Sequence, residues 1–419
     1  MTSEKTNKMM HFRPPRVSSP ILRPLAVLVG ALFLASGQQA LAQQQQEEGL
    51  KLYGGIGWGY DDNLLRVPDN RPAFQGKRSD RWRQLDAGIL YNKRISRQRV
   101  AVVAKASKVN FDFFKQLDYD GRDLQATWFW ELGNQFEGQA GTLYDRSLSS
   151  YTDFFSEERN VRDRRRSWFD AGWKMHPSWK LRTGFTRERY EYELLRQRYN
   201  NRTEKASEVE LQYTPRTGST VGLVARRVKG VYPFRRPATS GVLVDDFTQD
   251  ELKVRVNWYA TGSTTLQALA GYVRREQPSY GAGKTSGFNG RLNAYYQPRG
   301  KVTYNAAVWR EFAPIESTLV SYTLNRGASI GAAWQATGKI KVDANASYEQ
   351  RAYEARRAFD GADGLDDALK TASLRATWQV RRKIAVSAGW QHQSRSGSQT
   401  LNLGKFDANT VMVNANVLF

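Results

Sequence analysis

Few residues in this 419-residue chain are of types that perform chemistry. Cysteine is absent, which removes thiol nucleophiles, disulfides and thiolate metal sites. Beyond the N-terminal region two histidines remain, His176 and His392. His176 sits in a Met-His-Pro turn and reads as a polar strand end. His392 lies close in sequence to Ser387 and Ser394, which is what a barrel hydrolase would need. Hydroxyls near a histidine are common in Ser-rich strands, so this is the weakest of the functional readings. Gly327-Ala-Ser329-Ile-Gly331 has the spelling of a nucleophile elbow, but that motif requires a strand-to-helix turn. Here it falls inside an alternating strand. Gly281-Ala-Gly283-Lys284-Thr285 ends like a phosphate-binding loop, yet Pro278 replaces the first glycine and no helix follows. Asp61-Asp62-Asn63 could gather Ca²⁺, but Asx residues also end strands by bonding their own backbone. The turn reading is preferred. No catalytic residue, metal or cofactor is expected, and no enzymatic turnover.

Charge is the stronger signal. The chain carries 63 Lys and Arg against 41 Asp and Glu, a net charge of +22. Such basicity raises nucleic-acid binding as a rival. The basic residues are scattered along alternating segments, with no recognition helix or zinc-finger spacing, and that rival is set aside.

The elements that hold these charges are strands. From residue 50 onward a unit recurs: a strand of roughly 12–15 residues, a tight turn, a second strand, then a longer polar loop. Turn chemistry appears at Pro215-Arg-Thr-Gly218, Ala260-Thr-Gly262, Pro298-Arg-Gly300, Ala336-Thr-Gly338 and Arg381-Arg382. An aromatic precedes each: Tyr213, Trp258, Tyr296, Trp334 and Trp378. A propeller has a similar period but uses four short strands per repeat. Eighteen strands are expected, from 50–62 to 406–419, with short and long connections alternating.

Within several strands the two faces separate cleanly. Leu252, Val254, Val256 and Trp258 alternate with Lys253, Arg255, Asn257 and Tyr259. Ile340, Val342 and Ala344 alternate with Lys341, Asp343 and Asn345, and Leu374, Ala376 and Trp378 with Arg375, Thr377 and Gln379. An Arg or Lys facing mid-bilayer costs about 2–4 kcal/mol. The charged faces must therefore point inward, into water. Lys105, Lys174, Lys180, Arg182, Lys253, Arg255, Arg291, Lys341 and Arg375 are expected to line the lumen with fewer acidic partners, Asp170, Glu208, Glu210 and Asp343, giving a basic field that attracts anionic solutes such as an acidic polysaccharide. Tyr259 and Tyr295 would offer flat platforms for sugar rings. Two places break the pattern. The strand at 219–233 is apolar on both faces (Val221 and Leu223 against Val224 and Val228), and Arg326 falls on the apolar parity. A bulge or a rim position would explain each.

Composition agrees with this architecture. Aromatics make up 12% of a chain with mean hydropathy -0.64, which is too polar for a large soluble core. Residues 1–42 read as a signal peptide, with Lys5, Lys8, Arg13, Arg16 and Arg23 before the apolar run 25–35 and then Ala40-Leu41-Ala42. Cleavage is expected between Ala42 and Gln43, with 43–49 as a flexible lead-in and 50–419 as the barrel. Removing 1–42 leaves a net charge of about +18.

The last stretch, FDANTVMVNANVLF, alternates to a terminal Phe419. It resembles the C-terminal signal read by the bacterial outer-membrane barrel-assembly machinery, and it should pair with the first strand. The segment GWGYDDNLLR, Gly57 to Arg66, resembles the outer-membrane β-barrels of exopolysaccharide biosynthesis operons, the EpsL type, and the wider porin group around them. That resemblance implies a role in making or exporting an extracellular polysaccharide beside synthesis and export proteins, and it carries over only Asp61, Asp62 and Asn63. The expectation is an all-β, antiparallel, 18-stranded barrel in outer-membrane lipid. Passive polysaccharide secretion is the first reading, an oligosaccharide or general uptake porin the second, and a barrel hydrolase the third.

Overall fold

A computed structural model describes residues 48–419, apart from 239–240, 278–283, 315–321, 354–365 and 398–403. The expected signal peptide, the Ala42–Gln43 junction and most of the glycine-rich loop at 281–285 lie outside the described residues.

Alternation and turn chemistry produce eighteen barrel strands. They are β1 (Gly49–Asp61), β2 (Asp80–Ile95), β3 (Gln98–Phe111), β4 (Tyr119–Leu132), β5 (Phe136–Leu148) and β6 (Val161–His176). Next come β7 (Trp179–Tyr192), β8 (Arg202–Tyr213), β9 (Thr220–Val231), β10 (Phe247–Tyr259), β11 (Thr264–Glu276) and β12 (Lys284–Tyr296). The set ends with β13 (Val302–Pro314), β14 (Tyr322–Gln335), β15 (Ile340–Tyr353), β16 (Asp366–Arg381), β17 (Ile384–Arg395) and β18 (Phe406–Leu418). Each pairs antiparallel with its neighbours in sequence. The short turns carry residues suited to them: Ser96, Gly133 and Gly218 adopt positive φ.

The last strand closes the ring. β18 pairs with β1 from Tyr53↔Leu418 to Asp61↔Thr410, and the Phe419 N–H donates to the Leu52 carbonyl at 2.9 Å. An 18-stranded sheet closed in this way has no free edge.

The outer face is apolar. Leu252, Val254 and Trp258 on β10, Ile330 and Trp334 on β14, and Leu374 and Trp378 on β16 all stand exposed. Lys253, between Leu252 and Val254, and Arg291, beside Leu292 on β12, face inward and are buried. Near the short turns the aromatics form a girdle that includes Trp128, Trp173, Trp179, Tyr213, Trp258, Tyr296 and Trp378. Within it Phe136 stacks on Trp173 and Tyr296 on Tyr304, with centroids 6.2 and 6.1 Å apart. In the long-loop half, Tyr272, Phe288 and Tyr348 stand exposed on the outer face. A closed barrel with an apolar outer wall between two aromatic girdles is a membrane solution. The protein is a β-barrel of the bacterial outer membrane.

Neither exception in the pattern is a bulge. Val224 and Val228 point inward and are buried, Val228 packing with Tyr232 and Phe247. Arg326 faces outward opposite Arg310 and Gln350, in the long-loop half of β14. Register irregularities occur only beside two short turns, at Lys174/His176 and Gln379/Arg381, among the described strands.

Candidate functional site in the barrel lumen

The eleven residues read as lumen-facing share the inward parity of their strands. The cations do not form a free basic field, because carboxylates meet them. Lys105 lies 3.1 Å from Asp123 and 3.9 Å from Asp86. Lys174 and Lys180 share Glu137. On β7–β10 the charges alternate in a chain: Arg182 and Arg255 share Glu210, and Arg255 reaches Glu208 at 2.8 Å. Arg226 reaches Glu251 at 3.4 Å, and Lys253 meets the same carboxylate at 2.8 Å. Arg291 pairs with Glu311 at 2.7 Å and Lys341 with Asp343 at 2.8 Å. Arg375 stands in register with Asp343. Tyr259 and Tyr295 both oppose Thr265 near the short-turn end, so they share one row across three strands. On β14–β18 the inward wall mixes uncharged residues, Ser329, Gly331, Asn345, Ser373, Ser387 and Asn414, with the Lys341–Asp343 pair and Arg375.

The long-loop end is partly filled by the chain itself. Leu65 and Val67 from loop 62–79, Phe114 and Leu117 beside a short 3₁₀ turn, and Tyr151 pack on Val109 and Phe111 of β3. Each fully buried Leu, Val or Phe side chain contributes about 1.5–3 kcal/mol. Burial pushes the Tyr151 phenol well above its usual pKa, so it stays protonated and donates to the Glu158 carbonyl at 3.0 Å.

The Asp61-Asp62-Asn63 motif fastens the first of these loops. Asp61 accepts from Arg66, from Thr410 Oγ1 and from the Asn63 N–H. Asn63 bonds both the N–H and the carbonyl of Val67, while Asp62 accepts from the backbone and side chain of Asn409. Arg66 turns the loop inward with φ of 54° and donates to Gln393. These carboxylates are committed to protein donors, and no group of three or more metal-binding side chains occurs among the described residues. The strand-end reading of the motif fits better than a Ca²⁺ site.

Sequence reasoning missed the most consequential contact. Loop 149–160 joins β5 to β6, yet Asp153 lies 2.7 Å from Arg351 on β15 and 3.8 Å from Arg395 on β17. Arg395 also donates to the Thr152 carbonyl. In a ring of eighteen, β15 is nine strands from β6, the far side of the barrel. The loop therefore crosses the mouth of the lumen as a strap. Its anchorage is deep: Arg351 also makes two bonds to Asp367, at 2.7 and 2.6 Å, and Tyr353 donates to Asp367 at 2.9 Å. Arg351, Asp367 and Arg395 are 5%, 2% and 2% exposed. The available signal was the aromatic run Tyr151, Phe154, Phe155 inside a loop, where surface loops are ordinarily polar.

His392 falls on the outer face of β17, stacked against Trp390. Its ring nitrogens face Asn409 at 3.0 Å and Asp407 at 3.8 Å, with no serine between. This parity places it on the lipid side of the wall rather than in the lumen. His176 accepts from the Ser178 N–H in its short turn, as expected of a strand end.

No protein-family model and no curated protein matches this sequence. Solved structures with a similar strand layout include outer-membrane proteins and a porin. Pseudomonas aeruginosa OccK2 (OpdF), solved in complex with glucuronate, is 11% identical with a TM-score of 0.48, over 89% of this chain and 99% of that one. Acinetobacter baumannii OccAB3 is 9% identical with a TM-score of 0.47, over 88% and 99%. A BenF-like porin from Pseudomonas fluorescens Pf-5 has the same identity and score, over 88% and 98%. Likeness of this size extends to the barrel fold alone. The kinship of Gly57–Arg66 to exopolysaccharide barrels gains no support from these matches, and here that stretch serves as the loop fastening.

Proposed function

We propose that this barrel is a passive porin for small polar solutes, the second of the two transport readings. The observation that carries this is the Asp153 strap, which divides the mouth of the lumen. A conduit for an extended polyanion would need an unobstructed bore and cations free to exchange with polymer charges. The inward cations instead meet carboxylates of the chain, which favours short-range sorting of small solutes over a grip on polymer. Fixed charges of both signs on the inner wall give the lumen local fields that orient dipolar solutes. Lys174 and Lys180 on one carboxylate leave excess positive charge near the short-turn mouth, which biases the channel toward anions.

Planar-bilayer recording of the purified barrel tests this. Stable single-channel steps, a reversal potential shifted toward the anion in a salt gradient, and permeation of mono- and disaccharides are expected. A barrel that carries no current, or that admits a long acidic polysaccharide while excluding small sugars, would overturn the porin reading and restore polymer secretion.

A further inference from the structure

If the lumen's charge is largely neutralised, the excess basicity lies elsewhere, and part of it stands on the outer wall. In register, Arg187 on β7 lies directly opposite Lys205 on β8, and Lys205 directly opposite Lys229 on β9. One row along, Arg165 on β6 opposes Arg189 on β7. These positions share the parity of Phe185, Val209 and Leu223, which are exposed on the lipid side. All five cations are themselves exposed.

Like charges directly across a ladder destabilise a sheet, and this wall places three in a row. The carboxylates on the same face do not relieve them. Asp163 is held by Arg146, Glu191 by Arg189 and Asp250 by Arg227. Arg165 packs over the Tyr144 ring at 5.5 Å. Among the described residues, no carboxylate pairs with Arg165, Arg187, Lys205 or Lys229. Strands lie about 4.8 Å apart, so the row spans roughly 10 Å. It sits in the long-loop half of β7–β9, which faces the outside in barrels with short periplasmic turns. Toward the membrane centre the next row is Phe185, Ser207 and Arg227, the last paired with Asp250, and beyond it the outer face turns apolar at Val209, Ala225, Leu211 and Leu223.

We propose that Arg187, Lys205 and Lys229, flanked by Arg165, form a binding site for the phosphorylated headgroup of an outer-leaflet glycolipid. The acyl chains would lie along the apolar wall below, and two phosphates would bridge the row, replacing like-charge repulsion with charge-assisted hydrogen bonds. An aqueous polyanion satisfies the charge but not the adjoining apolar wall, so a membrane lipid is the better fit.

The test uses the full mature barrel in detergent micelles, examined by native mass spectrometry with added lipid. The probes are a bisphosphorylated, acylated glucosamine disaccharide, the same lipid without phosphates, phosphatidylglycerol, inorganic phosphate and an acidic polysaccharide. The bisphosphorylated lipid should be retained, and the Arg187→Gln/Lys205→Gln/Lys229→Gln variant should lose at least about tenfold in affinity. An Arg382→Gln/Lys383→Gln variant at the opposite rim should bind as the parent does. Heat-shifted electrophoretic mobility verifies that each variant is folded; if the triple variant does not fold, Lys205→Gln alone, with an expected loss of about threefold, takes its place. Equal binding by the substituted row, equal binding of the dephosphorylated lipid, or preference for free phosphate or polysaccharide would overturn the proposal. The row's contribution is independent of conductance, so a non-conducting barrel that binds the lipid would separate the two readings.

Discussion

Replacing Asp153 by Asn is expected to raise single-channel conductance by about twofold, as the strap swings off the far wall and the open cross-section grows. Two guanidinium groups, Arg351 and Arg395, share two carboxylates, Asp153 and Asp367, in a nearly dry site. Removing one partner of a buried pair costs about 3–5 kcal/mol, because an uncompensated charge is left behind. That cost falls on the docked loop rather than on the barrel, whose ladders are untouched. The loop should therefore release while the barrel keeps its resistance to denaturant. Limited proteolysis should show new cleavage between residues 149 and 160. Asp153→Glu keeps the charge and should change conductance far less. Unaltered conductance and unaltered proteolysis in Asp153→Asn would mean that the strap is not what narrows the channel.

The second large effect is expected on the outer wall. Val254 is exposed between Leu223 and Ala270 on neighbouring strands, with Leu252 and Val256 along its own. Val254→Arg should cost about 2–4 kcal/mol of folding stability in lipid vesicles, read as a lower urea midpoint. An arginine at Thr377, on the wet face of β16, should cost less than about 1 kcal/mol, because its charge stays in water. The contrast matters more than either value. Equal losses at the two positions would contradict the assignment of faces.

Much of this architecture is legible in the sequence because lipid enforces a period. Lys253 and Arg255 cannot share a face with Val254 and Trp258, so each strand declares its two sides. The aromatics Tyr213, Trp258, Tyr296, Trp334 and Trp378 mark the short-turn end for the same reason. The terminal strand foretells its pairing with β1, and Asp61-Asp62-Asn63 foretells a strand end. His392 was decidable as well, since it lies two residues beyond Trp390 and so on Trp390's face. The destination of a loop has no period. Asp153 finds Arg351 across 198 residues of chain through the closure of the ring, and nothing local to either residue encodes that. The partnering of charges was hidden likewise. Glu137, Glu251 and Glu311 take their roles only once strand register is fixed, which is why the expected basic lumen became a paired one.

The absence of native cysteine makes one measurement decisive for the central claim, a wet bore inside an apolar wall. Single cysteines at positions 373 to 378 of β16, in liposome-reconstituted barrels, can be challenged with a membrane-impermeant thiol reagent while current is recorded. Ser373→Cys, Arg375→Cys and Thr377→Cys should label and reduce the current, whereas Leu374→Cys, Ala376→Cys and Trp378→Cys should do neither. Labelling that fails to alternate, or alternating labels that leave the current unchanged, would contradict a solute path through this barrel.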